Sequence, residues 1–187
     1  MTKAEVRQHY LNKRKQLSLQ EIESKQRGLM KHFALFDLSS YSVVHIFLSI
    51  QKQREPNTQP LMEYLFSEGK TVVASQSDFT TKQMKHWAVS PESLWQTNRY
   101  GIPEPIKGTP VPPSAIDLVF VPLLGYDVKG QRVGYGQGFY DRFLSACAPN
   151  VLFVGLSYFT PVNEITGCEP TDIRLNYCIY SGGIIQF

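Results

Sequence analysis

Cysteine is scarce in this 187-residue sequence, which has only Cys147, Cys168 and Cys178 and no CxxC pair. This pattern argues against a disulfide framework and against a cysteine zinc site. The N-terminus lacks the apolar core of a signal peptide, and no segment approaches the roughly 18 apolar residues of a membrane span. We therefore expect a cytoplasmic protein with reduced cysteines that does not bind a membrane.

The motifs of common hydrolases are missing as well. The sequence has no HExxH motif and no paired histidines, and residues 155–159 lack the final glycine of a nucleophile elbow. The histidines stand apart, at positions 9, 32, 45 and 86. We interpret each as a surface or core residue rather than a catalytic one.

The composition favours one domain with a mild positive charge. Hydrophobic residues make up 42% of the chain, enough for one sizeable core, so we expect a single domain over residues 1–187. The formal charge of +3 suits an anionic ligand without requiring one. The basic run at residues 13–15 (Lys-Arg-Lys) leaves open a nucleic-acid-binding module, although a solvated helix face explains it more simply.

Local patterns alternate between helix and strand. Capping boxes at residues 2–5 and 18–21 predict two initial helices. Residues 43–48, 58–69 and 71–75 then predict a strand, a helix and a parallel strand, joined by a right-handed crossover.

The second half continues this alternation. Residues 83–89 predict an edge strand, and residues 98–113, with five prolines, an irregular loop. A buried strand at 117–121, a helix at 139–148 and a strand at 151–156 follow. Together the elements predict an α/β fold, a three-layer single domain with a mostly parallel central sheet.

A glycine-rich turn between strand and helix is the most informative segment. Gly134, Gly136 and Gly138 remove side chains at alternate positions, so backbone N–H groups can approach an anion, and the next helix points its own free N–H groups there. The turn is neither a Walker A loop nor a GxGxxG fingerprint. Glycines alone leave a phosphate site and a merely tight turn equally open.

Asp141 lies in the first turn of the predicted helix and bears on this choice. A carboxylate 4 Å from a phosphate charge is repelled by about 4 kcal/mol at an effective dielectric near 20. Mg²⁺ between the two would make the contact favourable. The alternative is that Asp141 only complements the helix dipole.

Residues 132–142, RVGYGQGFYDR, resemble the RLGxGxGYYDR signature of 5-formyltetrahydrofolate cyclo-ligases. The similarity extends through Lys3, Arg7, Ile50, residues 55–58, residues 100–105 and residues 117–119. It implies an enzyme that uses ATP and Mg²⁺ to cyclise 5-formyltetrahydrofolate to 5,10-methenyltetrahydrofolate through a phosphorylated imidate. We expect a monomer without a nucleic-acid partner. A small-molecule kinase with the same ATP site is the other possibility.

The resemblance also implies roles for individual residues. Predicted ATP-binding residues are Lys3, Arg7, Arg132, Gly134, Tyr135, Gly136, Gln137, Gly138, Phe139 and Tyr140. Predicted substrate-binding residues are Ile50, Glu55, Tyr100 and Tyr140, and predicted metal ligands are Asp141 and Asp172. Predicted catalytic residues are Arg132, Tyr140 and Asp141. Tyr135 and Gln137 stand where family members often carry a basic residue, which shifts the expected charge to Arg132, Lys3 and Arg7.

Overall fold

The chain contains four α-helices and twelve strands, and the computed structural model describes all residues from 1 to 187. The helices are α1 (Lys3–Gln16), α2 (Leu19–Phe33), α3 (Gln59–Ser67) and α4 (Phe139–Ser145). The strands are β1 (Val43–His45), β2 (Thr71–Asp78), β3 (Gln83–Val89), β4 (Trp95–Thr97), β5 (Pro103–Pro105), β6 (Thr109–Pro110), β7 (Leu118–Pro122), β8 (Gly125–Tyr126), β9 (Arg132–Val133), β10 (Leu152–Ser157), β11 (Tyr177–Tyr180) and β12 (Gly183–Gln186).

Eight of the strands form one sheet in the order β12-β11-β10-β7-β1-β2-β3-β6. The five strands from β11 to β2 run parallel, whereas β12, β3 and β6 add antiparallel edges. The predicted crossover from β1 through α3 to its parallel neighbour β2 is present. The predicted α/β fold with a mostly parallel sheet is confirmed.

Helices cover both faces of the sheet, which gives three layers. Apolar residues of α1, α2 and α3 pack on one face against β1, β7 and β10. Residues of α4 pack on the other face against β7 and β11. Parallel strands buried on both faces in this way read as continuous apolar runs, as β7 does.

Helix α1 is fixed at its start and along its buried stripe. The predicted capping box is present, because the Thr2 hydroxyl accepts from the Glu5 N–H and the Glu5 carboxylate accepts from the Thr2 N–H. Val6 and Tyr10 pack on β8, where a Cβ on Gly125 would lie 2.5 Å from the Tyr10 ring. Only a glycine permits this approach, which sets the position of the whole helix.

Three predicted boundaries were wrong. The helix expected over 139–148 ends at Ser145, and Pro149 disfavours helical backbone at Ala148, the last residue of the predicted range. The loop expected over 98–113 contains β5 and β6, short strands in which proline is tolerated because they lie at sheet edges. The strand expected over 43–48 is regular only as far as His45.

None of the helices has the length and apolarity needed to cross a bilayer. Cys147, Cys168 and Cys178 are all free thiols. Cys178 lies in the core, where burial raises its pKa, so the thiol stays protonated and acts as a packing group.

Candidate active site

A cavity of about 1050 Å³ opens beyond the carboxyl ends of β1, β2 and β7, the edge at which α/β sheets usually bind ligands. Elements from both halves of the chain meet there, including α1, the turn after β2 and the glycine-rich segment before α4. Every site residue predicted from the sequence lines this cavity: Lys3, Arg7, Ile50, Glu55, Tyr100, Arg132, Gly134, Tyr135, Gly136, Gln137, Gly138, Phe139, Tyr140, Asp141 and Asp172.

Helix α1 supplies two cations to the cavity. Lys3 and Arg7 are four residues apart and share the helix face that lines it. The Lys3 ammonium lies 2.7 Å from the Asp172 carboxylate, and this hydrogen bond raises the pKa of Lys3. The Arg7 Nε donates to the Gly134 carbonyl at 3.1 Å, and Arg7 has no carboxylate partner in the protein. Arg7 therefore keeps a positive charge free for an anion.

A second ion pair joins Arg132 and Asp141 at 2.7 Å. The Arg132 side chain is only 5% exposed, and burial lowers its pKa although the Asp141 and Asp172 carboxylates oppose the effect. Its Nε is buried without a hydrogen-bond partner. Asp141 also accepts from the N–H of Ile173, the residue that follows the other predicted metal ligand, Asp172.

The carboxylate oxygens that remain fit a magnesium ion. All hydrogen bonds to Asp141 reach Oδ1 and all those to Asp172 reach Oδ2, which leaves one oxygen of each without a protein donor. No group of three or more His, Cys, Asp or Glu side chains forms a complete metal cage. Mg²⁺ is commonly held by one or two carboxylates together with substrate phosphates, so this donor set is suitable.

The backbone of the glycine-rich segment needs glycine at two of its three positions. Gly136 and Gly138 have φ of 84° and 68°, in the left-handed region, and a Cβ on Gly136 would lie 3.2 Å from the Arg7 guanidinium. Gly134 has neither constraint. Gly138 caps α4 without a side-chain hydrogen bond, so the first N–H groups of the helix stay free toward the cavity.

Glu55 is the centre of a buried polar cluster in the wall of the same cavity. Its carboxylate accepts from the Tyr135 hydroxyl and from the Ile50 N–H, each at 2.7 Å, and lies 4.0 Å from the Arg14 guanidinium. Burial raises the pKa of Glu55, while Arg14 and the two hydrogen bonds oppose that rise. Tyr135, expected at the nucleotide, directs its hydroxyl to the predicted substrate carboxylate instead.

Arg14 was missed as a site residue, and its predicted environment was wrong. It is the middle residue of the basic run at 13–15, which was expected on a solvated face, yet it is only 2% exposed. Its guanidinium donates to the Leu123 carbonyl and to the Tyr135 hydroxyl. The run therefore does not present three adjacent charges to solvent, which weakens the nucleic-acid interpretation.

Aromatic rings line the mouth of the cavity. Tyr100 is 49% exposed and stacks on Phe79 with ring centroids 3.9 Å apart, and Phe79 meets Phe139 at 5.0 Å. Tyr140 lies deeper, where burial raises its pKa, so its hydroxyl remains a neutral donor. Phe79 follows the end of β2 in a hairpin turn, and no local pattern indicated that it would reach the glycine-rich segment.

Two histidines that look isolated in the sequence meet in the fold. The Ser75 hydroxyl lies 2.7 Å from His45 Nε2 and 2.8 Å from His86 Nδ1, which joins β1, β2 and β3. Burial lowers the pKa of His86 to about 4 and that of His45 well below its usual value, so both rings are neutral. His45 and Ser75 form part of the cavity wall.

Comparison with known proteins identifies relatives of the whole chain. A family model described as the 5-formyltetrahydrofolate cyclo-ligase family matches residues 1–181. The solution structure of 5,10-methenyltetrahydrofolate synthetase from Aquifex aeolicus superposes with a TM-score of 0.80 at 26% identity, over 100% of this chain and 93% of that one. A 5,10-methenyltetrahydrofolate synthetase structure from Mycoplasma pneumoniae gives 0.77 at 19% identity, over 97% and 99%, which supports the fold alone.

Curated relatives align over shorter stretches. The 5-formyltetrahydrofolate cyclo-ligase of Escherichia coli (strain K12) is 38% identical over 105 residues, which is 54% of this chain and 56% of that protein. The Haemophilus influenzae protein of the same name is 31% identical over 125 residues, 65% and 67% of the two chains. This chain therefore spans about half to two thirds of the length of these curated relatives.

Proposed function

Because this chain belongs to the 5-formyltetrahydrofolate cyclo-ligase family, we propose that it converts 5-formyltetrahydrofolate to 5,10-methenyltetrahydrofolate while ATP becomes ADP and phosphate. The observation that carries the proposal is the single cavity at the carboxyl edge of the sheet, where every residue expected to bind either substrate is found. A volume of about 1050 Å³ lies at the upper end of the range for ligand pockets, which leaves room for two substrates.

The nucleotide side of the cavity is assigned to the glycine-rich segment and α1. Free N–H groups at the start of α4 and the uncompensated charge of Arg7 favour phosphate oxygens. Lys3 is paired with Asp172 and Arg132 with Asp141. When Mg²⁺ binds these carboxylates, the two cations become available to bind phosphate oxygens. Asp141 and Asp172 would hold Mg²⁺, which when bound supplies positive charge to the phosphate oxygens.

The folate side is assigned to Glu55, Ile50 and the aromatic mouth. A buried carboxylate is a good acceptor for the adjacent N–H donors of a pterin. Contacts with the Ile50 N–H, the Tyr135 hydroxyl and the Arg14 guanidinium already fix the position of the Glu55 carboxylate. Tyr100 and Phe139 offer ring faces to the pterin and aminobenzoyl groups.

The proposed chemistry needs no protein nucleophile. The N5-formyl oxygen attacks the γ-phosphorus, ADP leaves, and N10 then attacks the activated formyl carbon, loses its proton and expels phosphate. An amide oxygen leaves poorly as hydroxide and well as phosphate, which is the reason for ATP. The residues position the two substrates in line and neutralise charge, with Arg132 and the backbone N–H groups facing the phosphates and Tyr140 donating as a neutral hydroxyl.

Methenyl-folate absorbance and ADP release, followed together in the purified protein, test this function. Both should appear at equal rates, and only when ATP, Mg²⁺ and 5-formyltetrahydrofolate are all present. Equal ADP release with and without the folate would reject the coupling. ADP release that requires the folate but yields a phosphorylated product without methenyl absorbance would favour a small-molecule kinase instead.

A further inference from the structure

The turn between β2 and β3 places a lysine against the glycine-rich segment. Asp78 Oδ1 accepts from the Thr80 and Thr81 N–H groups, which shapes the turn, and Lys82 closes it with φ of 59°, an uncommon value for a residue with a side chain. The Lys82 carbonyl accepts from Arg142 Nε at 2.9 Å. The hairpin tip is thus fixed to α4, far from it in sequence.

The Lys82 side chain points into the cavity. Its ammonium donates to Gln137 Oε1 at 2.7 Å and lies 5.7 Å from the centre of the Phe79 ring and 5.9 Å from that of Phe139. Gln137 is held a second time through its carbonyl, which accepts from Arg142. Lys82 is therefore positioned on the same segment that is assigned to the phosphates.

The charge of Lys82 has no partner within the protein. The segment from Val133 to Tyr140 contains no cation of its own, and none of the four salt bridges in the protein involves Lys82. Its one polar contact is a neutral amide, and an ammonium carries three donors. A half-buried cation with unused donors beside free backbone N–H groups is suited to a polyphosphate.

We infer that Lys82 binds a phosphate of the nucleotide. The β2–β3 hairpin would thereby supply a cation to the glycine-rich segment, which has no basic residue between Val133 and Tyr140. The inference rests on the proposed function for the identity of the nucleotide. A terminal carboxylate of the folate is the other anion that this charge could attract, since the Phe139 ring beside Lys82 is also assigned to the folate. The hydrogen bond from Lys82 to Gln137, within the glycine-rich segment, favours phosphate.

Direct binding of a non-hydrolysable ATP analogue with Mg²⁺, compared among variants by calorimetry, tests this role. Lys82→Gln should weaken the analogue about 10- to 100-fold, the loss of a charge-assisted hydrogen bond. Lys82→Arg, which keeps the charge, and Lys85→Gln, which removes an exposed lysine of the same hairpin, should bind like the parent protein. Lys82→Gln combined with Gln137→Lys, which moves the cation into the segment itself, should recover most of the affinity.

The outcomes separate this inference from the proposed function. Because binding is measured without turnover, an inactive parent protein that binds the analogue through Lys82 would reject the cyclo-ligase reaction and keep the inference. Unchanged analogue affinity in Lys82→Gln, or an equal loss in Lys85→Gln, would overturn it. So would a loss confined to the KM for 5-formyltetrahydrofolate that grows with the number of glutamates, since Lys82 would then bind the folate tail.

Discussion

Replacing Arg14 by Met should destabilise the protein strongly, although sequence alone places Arg14 in a solvated basic run. The substitution removes a buried cation 4.0 Å from the Glu55 carboxylate. At an effective dielectric near 20, that attraction amounts to about 4 kcal/mol. Removing one member of a buried pair generally costs about 3–5 kcal/mol, because the other charge is left uncompensated. We expect a loss in this range, measured by urea unfolding near neutral pH.

The loss should also depend on pH in a defined direction. Burial already raises the pKa of Glu55 above its ordinary value, and Arg14 is the main opposing influence, so the variant will raise that pKa further. A folded-state pKa above the unfolded one gives stability that is present at low pH and is lost as pH rises through the folded pKa. The deficit relative to the parent protein should therefore be smaller at about pH 5 than at about pH 8.

Two further variants complete the test. Lys15→Met, in the same run but exposed, should change the free energy of unfolding by no more than about 0.5 kcal/mol. Arg14→Met with Glu55→Gln removes both charges and should recover part of the loss. A deficit below about 1 kcal/mol that does not vary with pH would refute the buried charge pair as the reason for Arg14.

The remaining predictions concern Asp141, proposed as a metal ligand, and the buried histidines. Asp141→Asn should slow turnover about 100-fold or more, and raised Mg²⁺ should restore part of the rate. Because the substitution also breaks the ion pair with Arg132, the folding of the variant is checked in parallel. Full activity with an unchanged Mg²⁺ requirement would reject the role of Asp141 as a metal ligand. The pKa of His86 is about 4 in the folded protein and about 6.5 in the unfolded chain. The neutral buried ring therefore contributes stability above pH 6.5, and this stability is lost as the pH falls toward 4. Between about pH 7 and pH 5, His86→Gln should lose about 1–2 kcal/mol less stability in urea unfolding than the parent protein, in which the buried His45 contributes a loss of its own. An equal loss in the two proteins would mean that groups other than His86 cause it.

Features set by neighbouring residues were predictable from sequence. Both capping boxes are present, because each depends only on hydrogen bonds between two residues that are three positions apart in the chain. The predicted unit of a strand, a helix and a parallel strand is present as β1, α3 and β2, because adjacent parallel strands are commonly joined by such a crossover. The site residues lie together as the family resemblance implied, and their individual roles remain predictions.

What the sequence did not reveal depends on contacts between distant segments. Lys82 and Gln137 are 55 residues apart, and Ser75 meets two histidines only through the registers of β1, β2 and β3. Arg14 is different, because a signal was available. It follows Val6 and Tyr10 at a spacing of four, so it continues the buried stripe of α1. Its charge favoured the solvated interpretation, although its position on the helix indicated the core.

The bond between Tyr135 and Glu55 has a consequence for how the two substrates affect each other. Tyr135 belongs to the segment assigned to the nucleotide, and Glu55 is the carboxylate assigned to the folate, yet one hydrogen bond of 2.7 Å joins them. Thermodynamic linkage requires that whatever one ligand does to this bond changes the affinity of the other by the same factor. If the pterin draws the carboxylate away from Tyr135, nucleotide affinity will fall, and bound nucleotide will weaken pterin binding by the same factor through a single hydroxyl group.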